Sequence, residues 1–455
     1  VKALLLGQFA SLTGKGLKGQ LVRAGAGGLG VRILALVLTL LSSVVLTRTL
    51  GVDNYGLYVF VLSITSLLAF PVQMGIPILL TRETARAEVK RDWVAFHSIR
   101  VWALRMNIVL GGIIVAGILA YVWIKGDDFS PETRLIYWLA AALIIPVGLA
   151  GTLGAVLRGL RRIVLGQLPT EVLRPLFIIT LIASAWYFAP STLTASSALV
   201  LNLVATMGVL MIAAAFLWRA TPSESKGVRE RVFDNMTWLR AILPLAMMSG
   251  LQLINQNVDL VMVGIFRSHA EVGQYKIAVS TAALVIFGLS AIQVVAMPYI
   301  SGFFAEKDMI RLQRLAGTCA AASVVLALPV VLILGFWGKD LLAIIYGQSF
   351  VPAWEPMMIL SIAQLVNGFF GIVWPLLVMT GHERNGVYGL LAASLLNVPL
   401  NALLIPPYGV AGAAIATGIS IIVWNLLFWL AVHRKLGIDG SMLGLLRSVN
   451  KEHSA

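Results

Sequence analysis

Twelve stretches of this chain are long and apolar enough to cross a bilayer as helices, and nothing else in the sequence limits the fold so severely. A helix needs about 20 mostly apolar residues to span the hydrocarbon. Segments 28–47, 57–80, 106–124, 135–157, 172–189, 196–218, 243–266, 276–300, 316–337, 354–380, 387–404 and 411–432 reach or approach that length. Within lipid the backbone must satisfy its own hydrogen bonds, so runs of this length read as helices. Composition agrees, with 59% hydrophobic and 12% charged residues, where a water-soluble domain carries roughly a quarter charged. The expected fold is an all-α polytopic membrane protein of about twelve transmembrane helices. Its connections, the longest near 81–105 and 219–242, are too short to hold a soluble catalytic domain.

The formal net charge of +14 would suit a nucleic-acid partner if it were gathered on one domain. Instead the cations occupy alternate connections. One side carries Lys15, Lys18 and Arg23, then Arg82, Arg86, Lys90 and Arg91, then Arg158, Arg161 and Arg162. Lys226, Arg229, Arg240, Lys307, Arg311, Arg384, Arg434, Lys435, Arg447 and Lys451 follow on that side. The other side has little beyond Arg48, Lys125, Arg134, Arg267, Lys276 and Lys339. Positive connections stay in the cytoplasm, so both termini are expected there, in a bacterial inner membrane, with no nucleic-acid partner. Trp123, Trp138, Trp186, Trp218, Trp337, Trp354 and Trp429 fall near span ends, as an interfacial belt would. Lys2 followed by Ala3–Leu6 is too short for a signal core. Residues 1–27 read as a basic, glycine-rich lead-in.

Six spans precede the basic stretch 219–242 and six follow it. The expected organisation is a lead-in at 1–27, a first lobe at 28–218, a linker at 219–242, a second lobe at 243–432 and a tail at 433–455. Span 1 runs into Gly56-Leu57-Tyr58 and span 7 into Gly273-Gln274-Tyr275, and each Gly-x-Tyr opens the next span. An even number of spans per half gives both lobes the same orientation, related by an axis along the membrane normal. A central cavity between the lobes is expected.

Polar residues within the spans mark candidate sites. Gln252, Asn255, Gln256 and Asp259 follow at i, i+3, i+4 and i+7, on one helical face. Four such groups either bond neighbouring helices or line a watery cavity. A carboxylate costs roughly 2.5–3.5 kcal/mol at the bilayer centre, which favours the cavity and makes Asp259 the candidate for coupling to H+ or Na+. By the repeat, Thr39 and Ser42 take the places of Gln256 and Asp259, with Arg32 nearer the cytoplasm. Gln167, Glu171 and Arg174 stand at i, i+4 and i+7 where span 5 begins, either as a site or as a capping Glu171–Arg174 ion pair. Gln364/Asn367 and Asn397/Asn401 read as interhelical hydrogen bonds. No ligand spacing joins the five histidines to the single cysteine, Cys319, and there is no Walker-type phosphate loop. A resident metal, a cofactor and enzymatic activity are therefore not expected.

Leu46–Gly51 with Tyr55–Tyr58, Gly75-Ile76-Pro77, and Thr81-Arg82-Glu83 resemble the first loop and second span of the polysaccharide-export flippases. Leu157–Leu160, Gln167-Leu168-Pro169, Leu173-Arg174-Pro175, Tyr346–Phe350, Thr380–Arg384 and Asn397 through Ala414 continue the likeness over about 28–435. That family shares a superfamily with multidrug and toxin extrusion transporters and lipid II flippases. The resemblance implies export of undecaprenyl-diphosphate-linked sugar repeat units by alternating access, for O-antigen, capsule or exopolysaccharide. A polysaccharide polymerase and a chain-length regulator are the implied partners, beside membrane lipids. Guanidinium groups suit a diphosphate, so Arg32, Arg48, Arg82, Arg158 and Arg174, with the Gln252, Asn255 and Gln256 amides, are the expected headgroup residues. Arg82 and Arg158 are equally explained as cytoplasmic anchors. Two rival functions remain: a drug or organic-cation antiporter of the same architecture, and a non-transporting scaffold of a glycan-assembly complex.

Overall fold

The computed structural model describes residues 17–445 apart from 126, 127, 191, 192, 226 and 229; side chains are described from residue 30, except Pro244 and Met248. Lys15, Lys226, Arg229, Arg447 and Lys451 lie outside the described residues, as do most of the lead-in and the end of the tail.

Among the described residues the regular elements are all helical. Helix α1, Leu17–Leu68, is 52 residues long, or about 78 Å at the helical rise. That is too long for one crossing, and the chain leaves helical geometry at Gly51 (φ 74°, ψ 174°). The second span is assembled from the end of α1, α2 (Phe70–Gln73) and α3 (Ile76–Lys90). Gly75 breaks it at φ 70°, where an added Cβ would lie 2.8 Å from Leu245 Cβ. Glycine meets both demands at once. Then come α4 (Trp93–Ile124), α5 (Pro131–Gly159), α6 (Ile163–Gln167), a π-helical turn (Leu168–Leu173), α7 (Arg174–Phe188) and α8 (Ala195–Ala220).

The second half holds α9 (Asn235–Phe266), α10 (His269–Ala305) and α11 (Met309–Ile345). A 3-10 turn (Gln348–Ala353), α12 (Trp354–Phe370), α13 (Val373–Met379) and α14 (Glu383–Leu436) complete it. Helix α14 has 54 residues and breaks at Gly409 (φ 57°, ψ −136°), so it supplies two crossings. Nine described helices are long and apolar enough to span a membrane, ten with α9, which bends by 41°. Counting α14 twice and adding the composite second span recovers the twelve expected crossings. Trp123, Phe188, Met211, Phe336 and Leu403 are each largely exposed, an apolar exterior that water would not tolerate and lipid covers. The chain is a multi-pass membrane protein.

The chain forms two compact units, Val1–Thr49 with Ile64–Leu253, and Leu50–Ser63 with Ile254–Ala455. The division thus falls inside α9, and residues 50–63 pack with the second unit. Glycine explains that packing: an added Cβ at Gly56 would overlap the His269 carbonyl, and one at Gly273 would lie 3.0 Å from the Val52 carbonyl oxygen. The two Gly-x-Tyr segments therefore lie against each other within unit 2.

In unit 1, α5 packs along α8, α4 and α3 around Leu80, Phe96, Ile99, Val156 and Leu157. Two hydrogen bonds fix the register, Thr81 Oγ1 donating to the Ala155 carbonyl at 3.1 Å and Asn107 Nδ2 to Thr152 Oγ1 at 2.9 Å. In unit 2, α10 packs on α11 and α12, and α12 on α14, with Leu289, Ile300, Leu312, Leu376 and Phe428 in the core. The start of the expected tail folds back on α11. Asp439 accepts from Trp429 Nε1 at 2.8 Å and from Ser441 Oγ at 2.7 Å, while its backbone N–H donates to Gln313 Oε1 at 2.7 Å.

Candidate functional site

Each unit holds one polar centre within its apolar helices, and the two differ in chemistry. In unit 1 the centre surrounds the π-helical turn. Pro169 cannot donate a backbone hydrogen bond and Pro175 sits at the start of α7, so the chain between them widens by one residue per turn. Val172 in this turn packs on Val31 and Leu38 of α1. Widening changes the register, and Gln167, Glu171 and Arg174 do not form the single α-helical stripe their spacing suggests.

Arg174 Nη2 donates to Asn202 Oδ1 at 3.2 Å, and the same amide oxygen accepts from Thr206 Oγ1 at 3.4 Å. Arg158 Nη1 donates to the Gly166 carbonyl at 3.4 Å, while the Glu171 charge acts on its guanidinium. The backbones of α5 and α6 touch here: an added Cβ at Gly154 would lie 2.6 Å from the Gly166 oxygen, and one at Gly166 would lie 2.8 Å from Arg158 Cγ. Gln167 Oε1 is buried with no hydrogen-bond partner among the described residues. Both guanidinium groups are half-buried. Ser42, which takes the place of Asp259 in the repeat, donates to the Pro175 carbonyl at 3.3 Å, and Thr39 is exposed.

The remaining arginines stand outside this centre. Arg82 forms an exposed ion pair with Glu83 at 3.0 Å, as a surface anchor would. Arg32 is exposed on α1, one residue from the buried Val31, and Arg48 is exposed three residues before the Gly51 break.

Unit 2 is organised around one carboxylate. Asp259 is buried, at 7% exposure, and three helical segments supply its donors. Asn401 Nδ2 donates to Asp259 Oδ1 at 2.7 Å. The Thr417 hydroxyl and Tyr275 Oη both donate to Oδ2, Tyr275 at 3.2 Å. Asn401 Nδ2 also reaches Asn397 Oδ1 at 2.9 Å, while Asn401 Oδ1 is buried with no partner among the described residues. The carboxylate thus shares its pocket with the oxygens of Asn397, Asn401 and Thr417, and it makes no ion pair among the described residues. One turn earlier, Asn255 Oδ1 accepts from Ser394 Oγ at 2.9 Å and its Nδ2 is buried with no hydrogen-bond partner among the described residues.

The expected face of α9 therefore divides. Asn255 and Asp259 turn into the unit, whereas Gln252 and Gln256 are exposed. Asn401 does bond between helices, to the acid itself, while Asn397 accepts from Asn401 within α14. Gln364 accepts from Asn367 Nδ2 at 3.1 Å within α12. Tyr275, Thr417, Asn202 and Ser394 were not read as site residues from sequence. Tyr275 had a signal in the repeated Gly-x-Tyr, and Asn202 in being an amide midway along an apolar span; Thr417 and Ser394 had none. Above the acid, Arg267 Nε pairs with Glu271 Oε2 at 2.9 Å, and an added Cβ at Gly409 would lie 2.9 Å from that oxygen. The break in α14 is thus seated on an ion pair.

Fold and polar centres together describe a class, the multi-pass helical membrane proteins with a polar centre inside each of two compact units. An inward-facing multidrug-resistance transporter of the MATE family shares the fold at a TM-score of 0.72 and 14% identity, over 91% of this chain and 98% of that one. The lipid II flippase MurJ in an inward closed conformation aligns at 0.63 and 14% identity, over 94% and 91%. A transporter of the same superfamily from Pyrococcus furiosus aligns at 0.61 and 13% identity, over 92% and 95%. Within that class, residues 26–304 match the polysaccharide biosynthesis protein family, and the chain belongs to it. Two curated relatives come from Haloferax volcanii. One is a probable low-salt glycan biosynthesis flippase, Agl15, 22% identical over 170 residues, 37% of this chain and 36% of the relative. The other is a probable flippase, AglR, 30% identical over 174 residues, again 37% and 36%. The match spans about a third of the length of each relative.

Proposed function

We propose that this protein is a flippase that carries an undecaprenyl-diphosphate-linked oligosaccharide repeat unit from the cytoplasmic to the outer leaflet by alternating access, for surface polysaccharide assembly. The observation that carries the reading is the pair of half-buried guanidinium groups, Arg158 and Arg174, at the π-helical turn of unit 1. A cation costs free energy inside an apolar helix bundle, and an anionic headgroup offsets that cost. The planar fork of arginine matches phosphate oxygens. Family membership and the two glycan-flippase relatives support the same cargo class.

In this reading Arg174 and Arg158 receive the diphosphate in the inward-open state, and the exposed amides of Gln252 and Gln256 meet sugar hydroxyls. The prenyl chain stays in lipid. An inside-negative potential of 100 mV is worth roughly 2.3 kcal/mol per charge, so outward movement of two phosphate charges gains about twice that. Asp259 then serves the return of the empty carrier. A buried carboxylate without a cationic partner is neutralised by a proton or a bound cation, and the oxygens of Asn397, Asn401 and Thr417 suit a hard monovalent ion. Both termini face the cytoplasm of a bacterial inner membrane, and the polymerase that consumes the repeat unit works on the opposite face.

An organic-cation antiporter of the same fold needs an acid open to its substrate. Asp259 is instead covered and saturated with donors, which argues for cation coupling over drug binding. Purified protein in liposomes tests the proposal. Flipping of a labelled undecaprenyl-diphosphate oligosaccharide is expected, accelerated by an inside-negative potential and lost in Arg174→Ala. Full flipping by Arg174→Ala, or indifference to both potential and ion gradients, would contradict it.

A further inference from the structure

Away from both polar centres, the two arms of α14 enclose a groove of about 530 Å³ lined by Asn385, Tyr388, Gly389, Ala392, Leu427, Leu430, Ala431, Arg434 and Lys435. Asn385, Tyr388, Gly389 and Ala392 stand at i, i+3, i+4 and i+7 on the first arm, so they share one face. Leu427, Leu430, Ala431 and Arg434 repeat that spacing on the second, with Lys435 beside them.

The lining is graded along the helices. Arg434, Lys435, Asn385 and the Tyr388 phenol form one end. About 10 Å further along, Ala392 and Leu427 form an apolar end. The arms meet at the base of the groove, where an added Cβ at Gly389 would lie 2.8 Å from a Phe428 ring carbon. Every charged side chain in the lining is a cation, and neither Arg434 nor Lys435 forms an ion pair among the described residues. The end of α14 adds the negative pole of its dipole, to which these cations are already suited; their heads remain exposed and available.

We propose that this groove is a binding site for an anionic phospholipid of the leaflet facing the basic side. The headgroup phosphate meets Arg434 and Lys435, Asn385 and Tyr388 reach the glycerol region, and one acyl chain lies over Gly389, Ala392 and Leu427. Cations that only anchor a helix end snorkel to the interface and need no groove. A lipid site needs both a charged mouth and an open apolar floor, and basic pockets between membrane helices recognise acidic headgroups. The site lies on unit 2 alone and does not depend on the cargo assigned above.

The test uses the full-length protein in nanodiscs of phosphatidylcholine doped with phosphatidylglycerol carrying a photoactivatable acyl chain, with crosslinked peptides mapped after irradiation. Label is expected within 385–392 and 427–435. Arg434→Gln with Lys435→Gln should lower it about tenfold, the effect of losing about one unit of surface-charge attraction per cation after partial screening. Ala392→Phe, which fills the floor and keeps both cations, should lower it as far. If that variant fails to fold, the double glutamine variant carries the test alone. Equal labelling by photoactivatable phosphatidylcholine, or unchanged labelling in either variant, overturns the proposal. So does displacement of the labelled lipid by stoichiometric undecaprenyl diphosphate, which would make the groove part of the cargo path.

Discussion

Unit 1 and unit 2 solve the same problem, a polar group inside apolar helices, in opposite ways. Unit 1 leaves two guanidinium groups half-buried, Arg174 donating to Asn202 Oδ1 and Arg158 to the Gly166 carbonyl. Unit 2 buries its carboxylate and surrounds it with Asn401, Thr417 and Tyr275. A half-buried cation bonded to neutral oxygens at a widened turn can exchange partners with an arriving anion. A fully coordinated acid cannot exchange so readily, and it suits a small ion that enters and leaves among fixed oxygens. Under the function proposed above, cargo recognition falls to the first unit and ion handling to the second.

The largest expected effect breaks the second unit's centre. Asp259→Ala removes the acceptor that Asn401, Thr417 and Tyr275 share, leaving Asn401 to Asn397 and Tyr275 and Thr417 to each other, and each lost bond costs about 0.5–1.5 kcal/mol. Thermal unfolding in detergent should show a stability loss of several such increments, and Asp259→Asn, which keeps an acceptor, should recover most of it. An Asp259→Ala protein as stable as its parent would mean that the network does not hold unit 2 together.

In unit 1 the comparison is sharpened by geometry rather than stability. Arg174→Lys keeps the charge and loses the planar fork, so cargo affinity should fall about tenfold, a loss of about 1.4 kcal/mol, with little change in unfolding. Equilibrium binding of the lipid-linked diphosphate measures this directly. Gly56→Ala should cost about 1–3 kcal/mol, since its Cβ has no room beside the His269 carbonyl; denaturant unfolding reads that out. Smaller again, Tyr275→Phe removes one of three donors to Asp259 and should cost about 0.5–1.5 kcal/mol. Arg82→Ala touches only an exposed ion pair and should fall within about 0.5 kcal/mol of the parent.

How much of this was legible in sequence follows from what each feature depends on. Span number depends on the length of apolar runs, which is local, and the break at Gly409 divides the 54 residues of α14 into the two expected spans. Asp259 stood out because a carboxylate in such a run is costly wherever the chain goes. Its partners did not, because Asn401 and Thr417 lie 142 and 158 residues away and small polar residues are ordinary in membrane helices. The stripe on α9 was read correctly as a face but not as to how much of it turns inward. At Gln167–Arg174 the spacing misled, because α-helical periodicity does not hold through a π-helical turn set between two prolines. The packing of residues 50–63 with unit 2 was also hidden, since it rests on two glycines whose closeness no local pattern shows.

The most direct test of the division of labour is a crossed measurement on two variants in liposomes, scoring cargo binding and the dependence of flipping on an imposed Na+ or H+ gradient. Arg174→Ala should lose cargo binding and keep an ion-induced shift in thermal unfolding. Asp259→Asn should bind cargo as the parent does, and its flipping should no longer respond to the gradient. If both variants lose cargo binding and ion response together, the two centres form one functional site and the division drawn between the units is wrong.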